Sequence, residues 1–194
     1  MGIVSGMVER RGQLQNPDRW FINMVGGSET KSGVQVDEDT AMSSTAVFAA
    51  VRMIAETWAS VPLQLYSRRP DGGKEVAREH GLYSILHDSP NPELTSMEFR
   101  EMLAVHCLLG GVCYAEKVRN GAGQVVQLWP ISPHRVAPER SPSDALFFRV
   151  RPPGAGPDVI LPATEVFWMR GFGRHGLMGE RVIESMRESI GLTV

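Results

Sequence analysis

The chain has 194 residues, of which 42% are hydrophobic and 22% charged, and its formal net charge is −2. These proportions are ordinary for a folded protein, and the slight acidity excludes a general polyanion binder. No apolar stretch approaches the length of a transmembrane helix, and the N-terminus MGIVSGMVERR lacks the apolar core of a signal peptide, so we expect no membrane partner.

Residues 1–42 are predicted to form a flexible N-terminal arm. They mix glycine, polar and charged residues around a short apolar cluster at Trp20, Phe21 and Ile22. Such a segment has little to bury, so we expect it to be mobile or to be ordered by a partner.

A helix is predicted from Ser43 or Ser44 to about Ser60. Arg52 and Glu56 form an i,i+4 pair on its outer face. Apolar residues recur every three or four positions on another face: Val47, Val51, Ile54 and Trp58. This pattern predicts that these four side chains share the core-facing side of the helix.

Two smaller elements follow this helix. The alternating run PLQLYSRR predicts a strand over 62–69, and the turn Asp71-Gly72-Gly73 leads into a shorter partner strand. Residues 81–88 are predicted to form a short helix. Helices and hairpins are thus expected in blocks rather than in regular alternation.

The run SPNP at 89–92 predicts a stiff corner, because each proline fixes its own φ at about −65° and disfavours helix at the residue before it. Thr95 is the predicted N-cap of the next helix, and Glu98 completes a capping box. Leu94 can pack on Phe99 as a hydrophobic staple. The corner is therefore architectural, and nothing in it is reactive.

The helix predicted at 96–109 becomes apolar toward its end, AVHCLLGG, so that end should be buried, with Gly110 or Gly111 as its stop. VCYAEKVRN and QVVQLWPI, joined by the turn Gly121-Ala122-Gly123, predict a β-hairpin. LFFRVR, VILP and VFWMR predict further short strands. A last helix is predicted to begin near Gly179 and to run to the end of the sequence.

This order of elements predicts an α+β fold, with helices packed on short antiparallel strands and hairpins. The predicted parts are the flexible arm at 1–42, an α+β domain at 43–178 and, at 179–194, the start of a helix that leads into a missing C-terminal part. The last expectation comes from the amphipathic run ERVIESMRESIGLTV, which has no partner helix of comparable length.

One motif could carry chemistry. GFGRHG, residues 171–176, follows a predicted strand and formally matches the dinucleotide-binding fingerprint. The acidic residue expected about 20 positions further on falls at or beyond the end of the sequence, Gly179 intervenes before the helix, and no parallel sheet precedes the motif. A flexible strand-to-helix loop is therefore favoured over a nucleotide site.

The histidines do not have the spacing of a metal site. None of the five shows an HExxH or Cys-x-x-Cys arrangement: His80, His87, His106, His134 and His175. His106 lies on an apolar stripe and is predicted to be a hydrogen-bonded core histidine. Since a G-x-S-x-G elbow and a phosphate-binding P-loop are also missing, the sequence predicts no catalytic residue, no metal ligand and no cofactor, and it identifies no DNA-contacting residue.

The cysteines and tryptophans are predicted to be packing residues. Cys107 and Cys113 should both be reduced, as in a cytosolic product. The tryptophans that lie within apolar elements should be core anchors rather than a base-stacking platform: Trp58, Trp129 and Trp168.

The order of the blocks resembles a known family. SSTAVFAAVRMIAETWASVPLQLY, a DGG turn, HGLYSILHDSPNPELTSMEFREML and a hairpin ending in QLWPISP are together similar to the N-terminal, wing-region half of portal proteins of tailed bacteriophages and prophages. The resemblance covers roughly residues 43–194. At two turns the chain departs from the usual pattern, because His80-Gly81 stands in place of His-Pro and Gly111-Val112 in place of Gly-Asn.

The resemblance implies a structural, non-enzymatic subunit of an oligomeric ring, typically of twelve copies, at one capsid vertex through which double-stranded DNA is packaged and ejected. It implies as partners further copies of the chain, the terminase motor, capsid and scaffold proteins, and head-to-tail connectors. It implies location in the virion and, during assembly, in the host cytoplasm. The chain would supply the arm and most of the wing, and it would stop before the stem and clip.

We expect the chain alone to be a monomer or small oligomer with polar lateral contacts, because its sequence shows no strongly apolar exposed run. Two other functions stay open: a nucleotide-binding or DNA-processing enzyme domain that uses the GFGRHG loop, and a free-standing adaptor domain. Without the resemblance, the residues predict only an α+β binding or structural module.

Overall fold

Five helices and ten short strands are formed by the residues that the computed structural model describes, which are 28–29, 35–36, 38–173 and 176–190. The helices are α1 (Glu38–Ser43), α2 (Thr45–Ser60), α3 (Leu82–His87), α4 (Ser96–Gly110) and α5 (Val182–Ile190). The strands are β1 (Ser28–Glu29), β2 (Gln35–Val36), β3 (Tyr66–Arg68), β4 (Lys74–Val76), β5 (Val112–Arg119), β6 (Val125–Ile131), β7 (Val136–Arg140), β8 (Leu146–Val150), β9 (Val159–Pro162) and β10 (Val166–Arg170).

Every strand pairing in the described ranges is antiparallel. One three-stranded sheet has the order β10-β5-β6, a second has the order β7-β8-β9, and β1-β2 and β3-β4 are two-stranded. Helices segregate from these sheets along the chain, so the predicted α+β class is confirmed. No helix within the described part is both long and apolar enough to cross a membrane.

The sheet containing β5 is covered on both faces. Successive side chains of a strand point to opposite sides. Cys113 and Ala115 of β5 therefore join the core cluster of α4, whereas Val112 and Tyr114 join a cluster with Phe148 of the second sheet. The rings of Tyr114 and Phe148 meet edge to face with centroids 5.5 Å apart. The resulting layers are α2, α4, the β10-β5-β6 sheet and the β7-β8-β9 sheet.

A third cluster lies where several helices meet. It contains these buried residues: Ala41 of α1, Val51 of α2, Leu109 of α4, and Ile183 and Ile190 of α5. Because Ala41 is buried there, the short helix α1 belongs to the packed helices. α1 spans the boundary predicted between residues 42 and 43, and the threefold division of the chain stays a prediction.

The predicted core face of the first long helix is confirmed at Val47 and Val51 but is wrong at Ile54 and Trp58. The buried positions of α2 are Val51, Ala55 and Ala59, and both alanines are 0% exposed. Trp58, predicted as a core anchor, is 40% exposed, and Ile54 is 52% exposed. The cause is that α2 packs on α4 through a narrow ridge of small side chains, which lets the two helices approach closely and leaves the larger ones outside.

The other elements agree with the sequence pattern except in extent. The strand predicted over 62–69 is reduced to Tyr66–Arg68, and the last helix begins at Val182 rather than near Gly179. The sequence pattern did not predict β7, which contains Pro138. A proline is tolerated there because β7 is an edge strand, so its missing N–H removes no necessary ladder bond.

Candidate functional site

The glycines of the GFGRHG motif are used for backbone packing. A Cβ on Gly171 would lie 3.1 Å from the carbonyl oxygen of Gly111, and one on Gly173 would lie 2.8 Å from Cα of Gly179. The N–H groups of Gly171 and Gly179 donate to that same Gly111 oxygen at 2.9 and 3.0 Å.

The strand before the motif, β10, runs antiparallel to β5, whereas a dinucleotide fingerprint requires a parallel βαβ unit. Residues 174 and 175 of the motif lie outside the described residues. Elsewhere the backbone around Gly111 and Gly179 fills the space beside Gly171 and Gly173. The structure therefore favours the prediction of a strand-to-helix loop. The GFGRHG motif no longer supports the nucleotide-binding alternative.

The predicted corner is held by a buried asparagine. Asn91 is 5% exposed, and its Nδ2 donates to the Leu128 carbonyl of β6 at 2.8 Å. Its Oδ1 accepts from the N–H groups of Glu93 and Leu94 at 2.9 and 3.0 Å. The Leu128 N–H in turn donates to Pro90 at 2.8 Å. The corner is thus tied to the central sheet, a role of Asn91 that sequence analysis missed.

The helix start after the corner is the one predicted. The Glu98 N–H donates to Oγ1 of Thr95 at 3.3 Å, and the Thr95 N–H donates to Oε2 of Glu98 at 2.8 Å, which confirms the capping box. The bond from the Thr95 backbone N–H, and then a bond that Oγ1 of Thr95 donates to Oε2 of Glu98 at 2.7 Å, lower the pKa of Glu98. Phe99 and Leu94 belong to one apolar cluster, as the predicted staple requires. The helix ends at Gly111, with φ of 74°.

Arg100 connects the corner to α2. Its Nη2 and Nε donate to the Ala59 carbonyl at 2.8 and 3.2 Å, and its Nη1 donates to Oγ of Ser96 at 3.2 Å. Ser96 Oγ donates to the His87 carbonyl at the end of α3, at 2.6 Å. One guanidinium therefore fixes the C-terminal end of α2 relative to the start of α4. The sequence held no pattern that would have identified this contact.

The buried titratable groups are structural. Cys107 and Cys113 are free thiols, as predicted, and the hydrogen bond between them lowers the pKa of Cys107 and raises that of Cys113, which burial raises further. Nδ1 of His106 is buried without a hydrogen-bond partner among the described residues, so the predicted hydrogen-bonded state is wrong for that nitrogen. Burial, and then the nearby His134, lower the pKa of His106.

The charges of the remaining polar cluster are partly paired. A depression of about 90 Å³ is lined by residues that include Arg135, Arg149, Arg151 and Asp158. Arg149 makes two hydrogen bonds to Glu139, at 2.7 and 3.0 Å, which lower the pKa of that carboxyl. Arg135 Nε donates to the Arg151 carbonyl at 2.7 Å. Across the described ranges, no three His, Cys, Asp or Glu side chains gather where they could hold a metal ion.

The most distinctive surface is apolar. Along α2 and the segment after it, large apolar side chains are exposed, and we name them the α2 face: Phe48, Met53, Ile54, Trp58, Val61, Leu63 and Tyr66. On α2 itself, Ile54 and Trp58 are four positions apart and share one side of the helix, whereas Met53 lies about 140° around the helix from Trp58. These exposed side chains contradict the expectation of no strongly apolar exposed run, and the polarity of the lateral contacts stays a prediction.

The sequence and the fold have counterparts in known proteins. The profile of the family described as "Phage portal protein" matches residues 45–193. The protein BeeE of Escherichia coli (strain K12) is 34% identical over 105 residues, which are 54% of this chain and 66% of BeeE. The portal protein of Enterobacteria phage HK97 is 27% identical over 160 residues, which are 82% of this chain and 37% of that protein.

A solved structure shares the fold. A chain in the neck of an empty gene transfer agent (GTA) particle, computed with C6 symmetry, superposes with a TM-score of 0.66 over 90% of this chain and 48% of that one, at 19% identity. The present chain thus spans about half the length of that solved chain. Since the family profile covers more than half of the sequence, the chain belongs to the phage portal protein family.

Proposed function

We propose that this chain forms the wing-region part of a subunit in a portal ring at one capsid vertex, through which double-stranded DNA is packaged and ejected. The observation that carries the proposal is the family match over residues 45–193. The ring would contain twelve copies. Twelve is the number that the resemblance to the family implies.

Two features of the chain suit such a subunit. A closed ring needs two different patches on each copy, because its interface is heterologous. In this proposal, Ile54 and Trp58 of the α2 face, which share one side of the helix, belong to one such patch. The corner bonded through Asn91 and Arg100 fixes α2, α3, α4 and β6 relative to one another, so that the patch keeps its orientation when the ring is loaded.

A conduit for DNA should not bind it tightly, since each phosphate contact would oppose sliding. The net charge of −2 and the pairing of Arg149 with Glu139 support this. We propose a structural rather than catalytic role, with the terminase motor, capsid and scaffold proteins, and head-to-tail connectors as partners. The location would be the virion and, during assembly, the host cytoplasm.

Ring formation is tested on two forms of the protein. One is the 194-residue chain, and the other is the chain with any coding sequence that follows Val194 in its gene. We expect closed rings of the longer form in negative-stain electron micrographs, and monomers or small oligomers of the shorter form by light scattering.

If the longer form stays monomeric at every concentration and ionic strength, the ring proposal fails. If the reading frame stops at Val194 and the chain binds head or tail proteins as a monomer, the free-standing adaptor is the better description. A melting temperature raised by nucleotides would instead favour the enzyme alternative.

A further inference from the structure

An apolar groove of about 260 Å³ lies between α2, the end of α4 and α5. Its lining is wholly apolar and comprises Ala46, Val47, Ala50, Val51, Ile54, Leu108, Leu109, Val182, Ile183, Met186 and Ile190. We name it the α2–α5 groove. It adjoins the α2 face, with which it shares Ile54.

Helix α5 has one apolar stripe, about 100° wide, that is only partly covered. Ile183 and Ile190 of this stripe are buried in the cluster with Leu109. Val182 and Met186 line the groove and are 41% and 52% exposed. A nine-residue helix that leaves this much apolar surface uncovered gains stability when a further apolar segment covers the exposed part of its stripe.

The sequence holds a segment of matching chemistry shortly before β1. The run WFINMV, residues 20–25, contains five apolar residues, with the polar run NPDR before it and Gly26-Gly27 after it. The chain continues into β1, which pairs with β2, and β2 lies beside α1 and α5.

The chain that precedes β1 is long enough for residues 20–25 to reach the α2–α5 groove. Ser28 is six positions after Ile22, which corresponds to at most about 20 Å of extended chain. A nine-residue helix such as α5 is only about 13 Å long. The two glycines allow the chain to turn back toward the groove. A segment tethered so closely has an effective concentration in the millimolar range, which favours it over a free partner of equal affinity.

We propose that the run at residues 20–25 binds in the α2–α5 groove, with Trp20, Phe21 and Ile22 covering Val182, Met186 and Ile54. This inference does not depend on ring assembly, since a monomer could make the same contact. In a ring, the run of one copy could fill the groove of the next, and the test below separates the two arrangements.

Cysteine cross-linking tests the contact in the full chain. Cys107 is first replaced by serine, and Cys113 is kept because it is buried. Phe21→Cys is combined with Met186→Cys in the groove or, as a control, with Ile160→Cys on β9, which is similarly exposed but is not part of the lining. We expect the groove pair to form a disulfide at least tenfold faster than the control pair under the same mild oxidant.

Gels without reductant assign the arrangement. A monomer band of altered mobility places the run in its own groove, and a cross-linked dimer places it in the groove of another copy. Both support binding of this run. Equal rates for the groove and control pairs overturn the proposal.

A dye measurement tests the same contact without cysteines. Phe21→Asp should raise the binding of a hydrophobic dye several-fold, whereas Phe21→Leu should change it little. In a Met186→Asp background the effect of Phe21→Asp should largely vanish, because the groove would no longer accept the run. If Phe21→Asp leaves dye binding unchanged, a different occupant covers the groove. The same conclusion follows if dye binding by the wild type falls only as the protein concentration rises.

Discussion

Helices α2 and α4 have nearly equal lengths, 16 and 15 residues, and they pack on each other, yet they are held in different ways. α4 begins with a capping box, ends at a left-handed glycine and buries large side chains such as Phe99 and Leu103. α2 buries one valine and two alanines and presents Met53, Ile54 and Trp58 to solvent.

This difference indicates that α4 mainly stabilises the fold, whereas α2 also exposes apolar side chains that another surface can bind. The folded state depends on α4 because its large apolar side chains, such as Phe99 and Leu103, are buried against α3 and the sheet. α2 contributes a close backbone contact and the Arg100 bond at Ala59, and its larger side chains remain available to another surface. Two helices of similar composition can therefore have opposite roles, and substitutions should distinguish them.

The largest expected difference is between core and surface truncations. Leu103→Ala removes a side chain that is 3% exposed, and we expect it to lower the free energy of unfolding by about 3 kcal/mol. Met53→Ala on α2 removes one that is 65% exposed and should change it by less than about 0.5 kcal/mol. Denaturant melts of both variants measure this. Comparable losses would mean that α2 is covered in the isolated chain.

The sequence predicted α4 well because its signals are local. The capping box, the staple and the glycine stop are each set within a few residues of the helix ends, so their geometry does not depend on the rest of the fold. The hairpin of β5 and β6 was predicted for the same reason, since its turn and its flanking strands are contiguous in sequence.

The face of α2 could not be predicted because it depends on what packs against it. Spacing alone favoured Val47, Val51, Ile54 and Trp58, whereas the neighbouring α4 selects the ridge of Val51, Ala55 and Ala59. Ala55 and Ala59 did not indicate the buried face, because small residues are common on either side of a helix. Since the large apolar residues were assigned to the core instead, their exposure was not predicted.

The corner should show the next largest effect. Asn91→Ala would leave the Leu128 carbonyl and the Glu93 and Leu94 N–H groups without their partners, and we expect a loss of about 2 kcal/mol. Asn120→Ala is the matched control, because Asn120 makes similar turn bonds at an exposed hairpin tip and should lose less. Equal losses in thermal and denaturant melts would mean that the buried bond to β6 adds nothing.

The capping box should have a smaller effect that depends on pH. Thr95→Ala should cost about 1 kcal/mol, and Glu93→Ala, just outside the box, should cost little. Hydrogen bonding lowers the pKa of Glu98 in the folded state, so its contribution is present above the usual glutamate pKa of about 4.3 and is lost as pH falls through the lower, folded value. The difference between wild type and Thr95→Ala should therefore narrow in acid. A difference that is constant from pH 7 to pH 3 would contradict this.

The last prediction concerns self-association, and the residue is Trp58. Trp58→Glu replaces a side chain that is 40% exposed on α2. The free energy of unfolding should change by less than about 1 kcal/mol. Self-association should respond more strongly, because a carboxylate placed within the α2 face would have to be desolvated at any interface formed there.

Val126→Glu is the control for this last substitution, since Val126 is also 40% exposed but lies on β6, outside the α2 face. Light scattering over a range of concentrations should show that Trp58→Glu weakens association and that Val126→Glu does not. If both variants associate like the wild type, the α2 face is not the contact between copies. Trp58 would then be exposed for a different partner, and the contrast between α2 and α4 would concern packing alone.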